Sequence, residues 1–203
     1  MGIEKRRDYS YEEYVERQLE KTNNKRLRQR LKNDFHGRVD RFTKRLTPAV
    51  TKYLKDGDKI LCMGARLGEE VVACNDLGLN AIGVDLAPNP PHVVEGDFND
   101  LRKTFKKNEF DAIFTNSFDH AWDADKFFDS VRGVLKEDGI FIMDVFPGER
   151  NFHHYEVLFV AKAKDVIKAV EKTGNFEFLE VHDRLQRIIT RHTEIQLIFK
   201  RIK

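Results

Sequence analysis

The chain has 203 residues, of which 34% are charged and 40% are hydrophobic. This composition excludes a fibrous or a wholly disordered chain, and the length predicts one domain with an appendage. The formal net charge is only +2, but it is unevenly distributed. Residues 1–50 hold 14 Lys and Arg against 8 Asp and Glu (+6), whereas residues 51–203 hold 22 against 26 (−4). The two parts are therefore expected to have different roles.

The sequence carries no sign of a membrane or secretory protein. No apolar run approaches the roughly 18 residues of a membrane span, and the start, MGIEKRRDYSYEEYVERQ, has no signal-peptide core. A cytoplasmic protein with no membrane partner is therefore expected. Two cysteines, Cys62 and Cys74, are too few for a disulfide framework and have no CxxC spacing. Cys62 lies in an apolar run and is expected to be a buried thiol.

The N-terminal part is predicted to be a basic helical extension over residues 1–50, with two interpretations, an acceptor lid or a solvated docking helix. Residues 10–46 are expected to be helical, because Ser10 can cap a helix and no Pro or Gly follows until Gly37. Basic side chains crowd one stretch of it: Lys25, Arg26, Arg28, Arg30 and Lys32. Leu27, Leu31 and Phe35 recur at a spacing of four, so the region has an apolar stripe for docking and a basic face. Pro48 is expected to start a separate short helix, Ala49 to Leu54.

Residues 51–203 are predicted to form one α/β domain. Short apolar runs alternate with helical stretches, which indicates a doubly wound, mainly parallel sheet with helices on both faces. Five runs are expected to be parallel strands: Ile60–Met63, Ala81–Val84, His92–Val94, Phe110–Phe114 and Ile140–Met143. The expected helices are Glu69–Leu77, Asp123–Leu135 and Ala163–Thr173. Two further runs, Phe176–Val181 and Glu194–Ile202, complete seven strands as an antiparallel pair at the C-terminal edge.

The turn after the first strand is the first place to look for a ligand site. It reads Met63-Gly64-Ala65-Arg66-Leu67-Gly68 and opens a helix, so its glycines let the backbone pass close to a bound group. Asp85 ends the second strand, 21 residues after Gly64, where an acid can accept both hydroxyls of a ribose. Asp97 follows the third strand beside the aromatic Phe98. Together these residues predict a nucleoside pocket.

Two phosphate-binding motifs are excluded. A dinucleotide fingerprint needs glycines where Arg66 and Glu69 stand, and no Walker loop occurs. A nucleoside without phosphates fits better. Five stretches of the chain carry a resemblance to a known family: ILCMGARLGEE, AIGVDLAP, VVEGDFNDL, FDAIFTNSFDHAWD and FFDSVRGVLKEDGIFIMDVF. On these stretches, residues 50–203 resemble the class I S-adenosylmethionine-dependent methyltransferases, which have a Rossmann-like fold.

The resemblance implies S-adenosylmethionine as cofactor and assigns its neighbours. Residues Gly64 to Gly68, with Met63, Ala65 and Arg66, would surround the methionine part. Asp85 would bind the ribose, with Leu86 beside it, and Asp97 the adenine amino group, with Phe98 as its apolar neighbour. Asn116 and Ser117 would border the methyl group.

The sequence departs from the family pattern at two positions. Cys62 stands where an acid is usual, and Arg66 where the loop usually has a glycine. Arg66 has two interpretations, a partner for the cofactor carboxylate or an exposed loop charge.

Methyl transfer needs a base only when the acceptor is a poor nucleophile. His120 is the first candidate base; the alternative is a structural histidine bonded to Asp119 or to backbone. His153 and His154 are candidates for a wall of the acceptor pocket, and the spacing of these histidines predicts no metal site.

The acceptor itself is not predicted: a small molecule, a protein and an RNA stay open, as does the oligomeric state. Two other functions are weighed beside methyl transfer. One is an inactive binding or scaffold protein, suggested by Cys62 and Arg66. The other is nucleic-acid binding by the basic helices, which eight interleaved acids disfavour.

Overall fold

The computed structural model describes residues 2–5, 9–89, 91–148, 155–183 and 194–203. The strands are β1 Ile3–Lys5, β2 Lys59–Met63, β3 Asn80–Asp85, β4 Val93–Glu95, β5 Phe110–Thr115, β6 Leu135–Val145, β7 Leu158–Val160, β8 Phe176–Asp183 and β9 Ile195–Arg201. The α-helices are α1 Tyr11–Asn23, α2 Lys25–Asn33, α3 Phe35–Tyr53, α4 Glu69–Asp76, α5 Ala124–Val134 and α6 Ala163–Lys172. Two 3₁₀ turns, Leu101–Lys103 and Phe118–His120, follow β4 and β5.

The main sheet has seven strands in the order β4-β3-β2-β5-β6-β9-β8. Strands β2 to β6 are parallel, whereas β9 runs antiparallel to both β6 and β8. The predicted α/β fold is therefore confirmed, including the antiparallel C-terminal pair. The chain runs outward from β2 to β4 and then returns to β5, so the strand order reverses between β2 and β5. Ligands of open α/β sheets bind at such a point.

Alternate residues of each central strand face opposite layers. Leu61 and Met63 pack into the layer that contains α1, α5 and α6, whereas Ile60 and Cys62 pack into the layer of α3 and α4. All four side chains are buried. This alternation is the period of two that a strand imposes, and it gives the sheet an apolar core on each face.

The N-terminal region forms three helices. Asn24 separates α1 from α2 and caps α2 by accepting a hydrogen bond from the Leu27 backbone (3.0 Å). Helix α1 begins at a capping box between Ser10 and Glu13. Helix α2 buries none of its residues, whereas α3 packs against the sheet.

The expected helix break at Pro48 is wrong. Helix α3 continues through Pro48 to Tyr53 and therefore crosses residue 50, the boundary predicted for the N-terminal extension. Pro48 has no N–H to donate, but Leu46, Ala49 and Val50 around it are buried against the sheet. We attribute the continuous helix to this burial, which outweighs the lost hydrogen bond.

Two short strands were not predicted. Strand β1 pairs with β7 in an antiparallel ladder, with Ile3 opposite Val160. Each strand has only three residues, too few to show a period in the sequence. Within the described residues, no helix has the length and apolar character needed to cross a membrane.

Candidate functional site

The turn between β2 and α4 lies at the point where the strand order reverses. Gly64 and Gly68 have positive φ values of 73° and 89°, which glycine adopts without strain. Arg66, at the middle of the turn, also has a positive φ of 35°. A Cβ on Gly64 would lie 2.6 Å from Ser117 Oγ, so only glycine lets this turn approach the end of β5. The turn predicted as a ligand loop is thus held against the neighbouring strand.

Asp85 ends β3 beside this turn. Its Oδ2 accepts a hydrogen bond from the Arg66 backbone (3.1 Å), and its Oδ1 accepts one from the Ala87 backbone (3.0 Å). Burial raises the pKa of Asp85 above its usual value, while the two amides and the Arg66 charge oppose this shift. Each carboxylate oxygen keeps a further lone pair for a ligand hydroxyl. Leu86 follows and packs on the core at the same edge.

Asp97 and Phe98 follow β4 at the same edge of the sheet. Asp97 Oδ1 accepts hydrogen bonds from the backbone and the side-chain amide of Asn99, both at 2.8 Å. Phe98 is buried, and its ring packs edge-on against Phe127 with centroids 5.6 Å apart. Phe98 therefore supports the crevice from the core. A cavity of about 750 Å³ opens beside Asp97 and is also lined by Tyr11 and Trp122.

Asn116 and Ser117 follow β5, directly across from the glycine turn. Ser117 Oγ donates to Asn116 Oδ1 (3.1 Å), and the Ser117 backbone donates to Thr115 Oγ1 (3.1 Å). Met63 and Ala65 have buried side chains below this edge, so only their backbone atoms can contribute to the surface of the site. The structure thus brings the predicted cofactor residues of β2, β3, β4 and β5 to one edge.

Helix α1 lies over this edge, and the role of the N-terminal extension as an acceptor lid stays a prediction. Tyr14 is 1% exposed, hydrogen-bonds to Asn99 and packs against Trp122 with the two rings tilted and their centroids 5.5 Å apart. One helical turn further on, Gln18 Nε2 donates to the Tyr155 carbonyl (2.8 Å). Trp122, the only tryptophan of the chain, also contacts Tyr11 at 5.9 Å. A helix was predictable here, but no periodicity indicates which distant residues it covers.

His120 lies just past Ser117 and is held at both ring nitrogens. Its Nδ1 is 3.1 Å from the Tyr155 carbonyl and its Nε2 is 2.9 Å from Lys21 Nζ of α1. Burial, together with the Lys21 charge, lowers the pKa of His120 well below its usual value. Asp119 Oδ2 is farther away, at 4.0 Å. The base role of His120 stays a prediction, and its Nε2 already has a neighbour.

His153 and His154, predicted to wall the acceptor pocket, lie outside the described residues. The adjoining Tyr155 is described and contributes its carbonyl to His120. A small cavity of about 30 Å³ lies nearby, beside Phe118, Asp119 and Glu156. That volume holds little more than water, so it is too small for an acceptor in this conformation.

Glu69 and Glu70 open helix α4 beneath the turn, and both are buried. Glu69 Oε1 accepts from Arg38 Nε of α3 at 2.7 Å. Burial and the neighbouring Glu69 raise the pKa of Glu70 to about 8. Two acids in the first turn of a helix interact favourably with its dipole, which offsets part of the cost of burying them.

Comparisons with known proteins agree with this geometry. Residues 61–143, which run from within β2 to within β6, match the family described as "Methyltransferase domain". No curated protein sequence matches the chain.

Among solved structures, the 1,6-didemethyltoxoflavin-N1-methyltransferase of Burkholderia thailandensis has a TM-score of 0.68 at 14% identity, covering 99% of this chain and 95% of that chain. A SAM-dependent methyltransferase of Methanosarcina mazei has a TM-score of 0.62 at 13% identity, covering 76% of this chain and 97% of that chain.

The strand order and the glycine turn give the Rossmann-like fold that the sequence motifs predict. Residues 61–143 match a methyltransferase domain, and solved structures that share this fold include proteins described as SAM-dependent methyltransferases. S-adenosylmethionine is the cofactor that the descriptions of these neighbours name.

The residues present fit that cofactor, with one exception. Asp85 presents an anchored carboxylate, and Arg66 Nε is buried with no hydrogen-bond partner among the described residues, so it is a spare donor beside the turn. Cys62 does not replace the usual acid: its hydrogen bond to Cys74 and its burial raise the pKa of its thiol, which keeps it neutral. Cys62 is fully buried, as expected.

Proposed function

We propose that the protein binds S-adenosylmethionine in the crevice between the β2–α4 turn and helix α1 and transfers its methyl group to an acceptor. The observation that carries this proposal is the Asp85 carboxylate, fixed by two backbone amides beside a turn that only glycine allows. The family match over the same strands supports it. We further propose a cytoplasmic location, from the sequence alone.

Each part of the crevice has a role in this proposal. Asp85 would accept the ribose hydroxyls, and Asp97, beside the large cavity, the adenine amino group. Arg66 would pair with the cofactor carboxylate, and Asn116 and Ser117 would border the transferred methyl. When bound, the cofactor supplies an electrophilic methyl on a sulfonium. The protein then contributes by aligning the acceptor and excluding water, which can supply most of the rate acceleration.

Residues 1–50 would act as a cover in this scheme. Helix α1 reaches both ends of the crevice, through Tyr14 near Asn99 and through Lys21 at His120. The acceptor would then enter between this helix and the segment around Tyr155. The acceptor itself, whether a small molecule, a protein or an RNA, is for a substrate screen to identify.

Isothermal titration with S-adenosylmethionine and with S-adenosylhomocysteine tests the proposal. We expect micromolar binding of both to the wild-type protein. Asp85→Asn should weaken it by about 10-fold or more, since a charge-assisted hydrogen bond contributes roughly 1.5–3 kcal/mol. Asp76→Asn is the matched control, because it removes the same charge at an exposed position at the far end of α4 and should leave affinity unchanged.

The titration also separates the alternatives. Absent or millimolar binding of both compounds would refute the proposal. Tight binding with no methyl transfer to any compound in a broad acceptor screen would favour a scaffold protein.

Helix α2 favours one second function, nucleic-acid binding. It buries no residue, and Lys25, Arg26, Arg30 and Lys32 are exposed. Phosphate contacts would make RNA affinity fall steeply with salt. Replacing these four residues with Glu should abolish such binding without changing cofactor affinity, and wild-type protein that binds no RNA at low salt would dispose of the idea.

A further inference from the structure

Lys21 reaches from helix α1 into the transfer end of the crevice. Its Nζ lies 2.9 Å from His120 Nε2 and 5.4 Å from the centre of the Tyr155 ring. The side chain is half-buried, although a lysine on a surface helix usually extends into water. The titratable groups around it come from four other segments: Arg66 of the turn, Asp85 of β3, Asp119 and the neutral His120 after β5, and Glu156 before β7.

The contacts of His120 determine what Lys21 does there. A carbonyl oxygen only accepts hydrogen bonds, so His120 Nδ1 must carry the proton that is shared with the Tyr155 carbonyl. In the neutral ring, Nε2 is then the acceptor, and it is aimed at Lys21 Nζ. The only free lone pair of the ring therefore binds Lys21. His120 is built to hold a lysine and is poorly placed to remove a proton from an acceptor.

We propose that Lys21 is the general base of the methyl transfer, and that His120 is the residue that positions it. This inference rests on the proposed function. A neutral Lys21 amine can donate one N–H to His120 Nε2 and keep its own lone pair for the acceptor. Gln18, one turn earlier, fixes the same helix by donating to the Tyr155 carbonyl. The helix that carries Lys21 and the ring of His120 are therefore both held by this one carbonyl oxygen.

The surroundings of Lys21 make its neutral form accessible. Burial, and next the Arg66 charge, lower the pKa of Lys21 to about 8. Asp119, Glu156 and Asp85 oppose this shift, so they would stabilise the ammonium once a proton is taken. A base with a pKa near the working pH is efficient, because it is available and still basic.

The proposed step balances and defines the acceptor class. The acceptor nitrogen or oxygen forms a bond to the methyl carbon, the bond from that carbon to the sulfonium sulfur breaks, and the acceptor proton moves to Lys21 Nζ. The products are the methylated acceptor, a neutral thioether and a Lys21 ammonium. We therefore infer an acceptor that must lose a proton, a hydroxyl or a protonated amine. A thioether or a tertiary amine would need no such base.

A direct test is the titration of Lys21 by NMR in protein labelled with ¹³C-lysine, with S-adenosylhomocysteine binding measured on the same sample. The Lys21→Arg spectrum identifies the Lys21 resonance by its absence. We expect a midpoint near pH 8 that moves when His120→Ala removes the hydrogen bond. A midpoint in the ordinary lysine range, in protein that binds S-adenosylhomocysteine, would overturn this inference alone. Protein that binds neither S-adenosylhomocysteine here nor S-adenosylmethionine in the calorimetric titration would overturn the proposed function, and this inference with it.

The second test is the pH dependence of turnover on an acceptor found by the screen. We expect wild-type kcat to rise with pH through about 8, since the free amine is the base. Lys21→Met and Lys21→Arg should both lower kcat by about 100-fold or more and remove the rise, because neither residue can take the proton. Lys168→Met, which replaces an exposed lysine on α6, is the matched control and should change nothing. If Lys21→Arg kept the turnover of the wild type, only the positive charge of residue 21 would matter, and Lys21 would not be the base.

Discussion

Gly64 is the residue on which the close approach of two strands depends. Its backbone has a φ of 73°, and a Cβ would meet both Oγ and Cβ of Ser117, at 2.6 and 2.8 Å. Two costs are therefore combined at this position: a left-handed backbone and a steric overlap. Gly57, in the turn before β2, has a similar φ of 80° but nothing within 4 Å of its Cβ position. The chain thus contains a control that carries the first cost without the second.

We expect Gly64→Ala to destabilise the protein by clearly more than Gly57→Ala. The backbone term is about 1–2 kcal/mol for each, and only the substitution at Gly64 must also displace Ser117. Urea unfolding of both variants measures the difference. Cofactor affinity should fall for Gly64→Ala alone, because the turn and the end of β5 would move apart.

Ser117→Gly provides the check on this interpretation. It removes both atoms that a Cβ at position 64 would meet, so it should recover part of the loss in the Gly64→Ala background. Equal free energies of unfolding for the two alanine variants would mean that the overlap is relieved at no cost. The close approach would then not be what requires glycine here.

At the residue scale, the sequence indicates the place of a side chain where a fixed spacing along the chain determines it, and the role of Asp85 stays a prediction. Asp85 could be located by its 21-residue distance from Gly64, because a strand-turn-helix-strand unit returns to the same edge after that length. Lys21 could not be located in this way. It meets His120 across 99 residues, and neither residue belongs to a local pattern that indicates the other.

At the scale of elements, helix α4 carries an unusual first turn. Glu70 is buried there at 4% exposure, next to the buried Glu69. Its pKa of about 8 lies above the usual 4.5, so between these pH values the folded state holds a proton that the unfolded state has released. The stability contributed by this group is therefore greatest below about pH 4.5 and is lost as the pH rises to about 8.

Glu70→Gln should remove that pH dependence. At about pH 9 the wild-type protein buries a carboxylate, so we expect the variant to be more stable there by roughly 1–3 kcal/mol. At about pH 4, where Glu70 is protonated in both the folded and the unfolded state, the two proteins should be similar. Urea unfolding at both pH values gives the comparison, and Asp119 and Lys21, which also titrate in this range, cancel between the two proteins.

Glu12→Gln is the control for this experiment, since Glu12 is an exposed glutamate in the first turn of α1. It should not alter the slope of stability against pH. A Glu70→Gln variant that loses stability equally at both pH values would show that Glu70 is ionised and well paired throughout, and that its contact with Arg38, 3.9 Å away, matters more than its burial.

Element prediction worked where a long apolar run or a full helical face decides the structure. The buried strands β2 and β5 could be predicted from their apolar residues, because both of their faces are covered. The strands β1 and β7 could not, since their pairing exists only once the chain is folded. Pro48 led to the opposite error. The rule that proline ends a helix predicts a break at this position, but tertiary packing stabilises a continuous α3.

At the scale of the whole molecule, the excess positive charge of residues 1–50 can be assigned to particular helices. Helices α1 and α2 belong to the basic part, but the face of α1 that contacts the crevice is mostly uncharged, with Tyr11, Tyr14 and Gln18. The most exposed bases lie on α2. The excess of +6 is therefore concentrated beside the crevice, on α2, while Lys21 alone carries charge from α1 to its transfer end.

If α1 covers the cofactor, binding must stabilise this helix as well as the whole fold. A ligand that binds only the native state, at about 100 times its Kd, raises the free energy of unfolding by about 2.7 kcal/mol. We expect S-adenosylhomocysteine to do this, and to slow amide hydrogen exchange most strongly in α1, while strands β8 and β9 at the far edge change only with global stability. Mass spectrometry of exchanged peptides measures the protection of α1 and of the β8 and β9 strands, and Trp122 fluorescence reports on the contact between α1 and the crevice.

The control is Asp85→Asn at the same ligand concentration, which should show a smaller gain in stability and weaker protection of α1. Protection of the β2–α4 turn with unchanged exchange in α1 would show that the helix does not cover the cofactor, and Lys21 would then be too far from the reaction to act as its base.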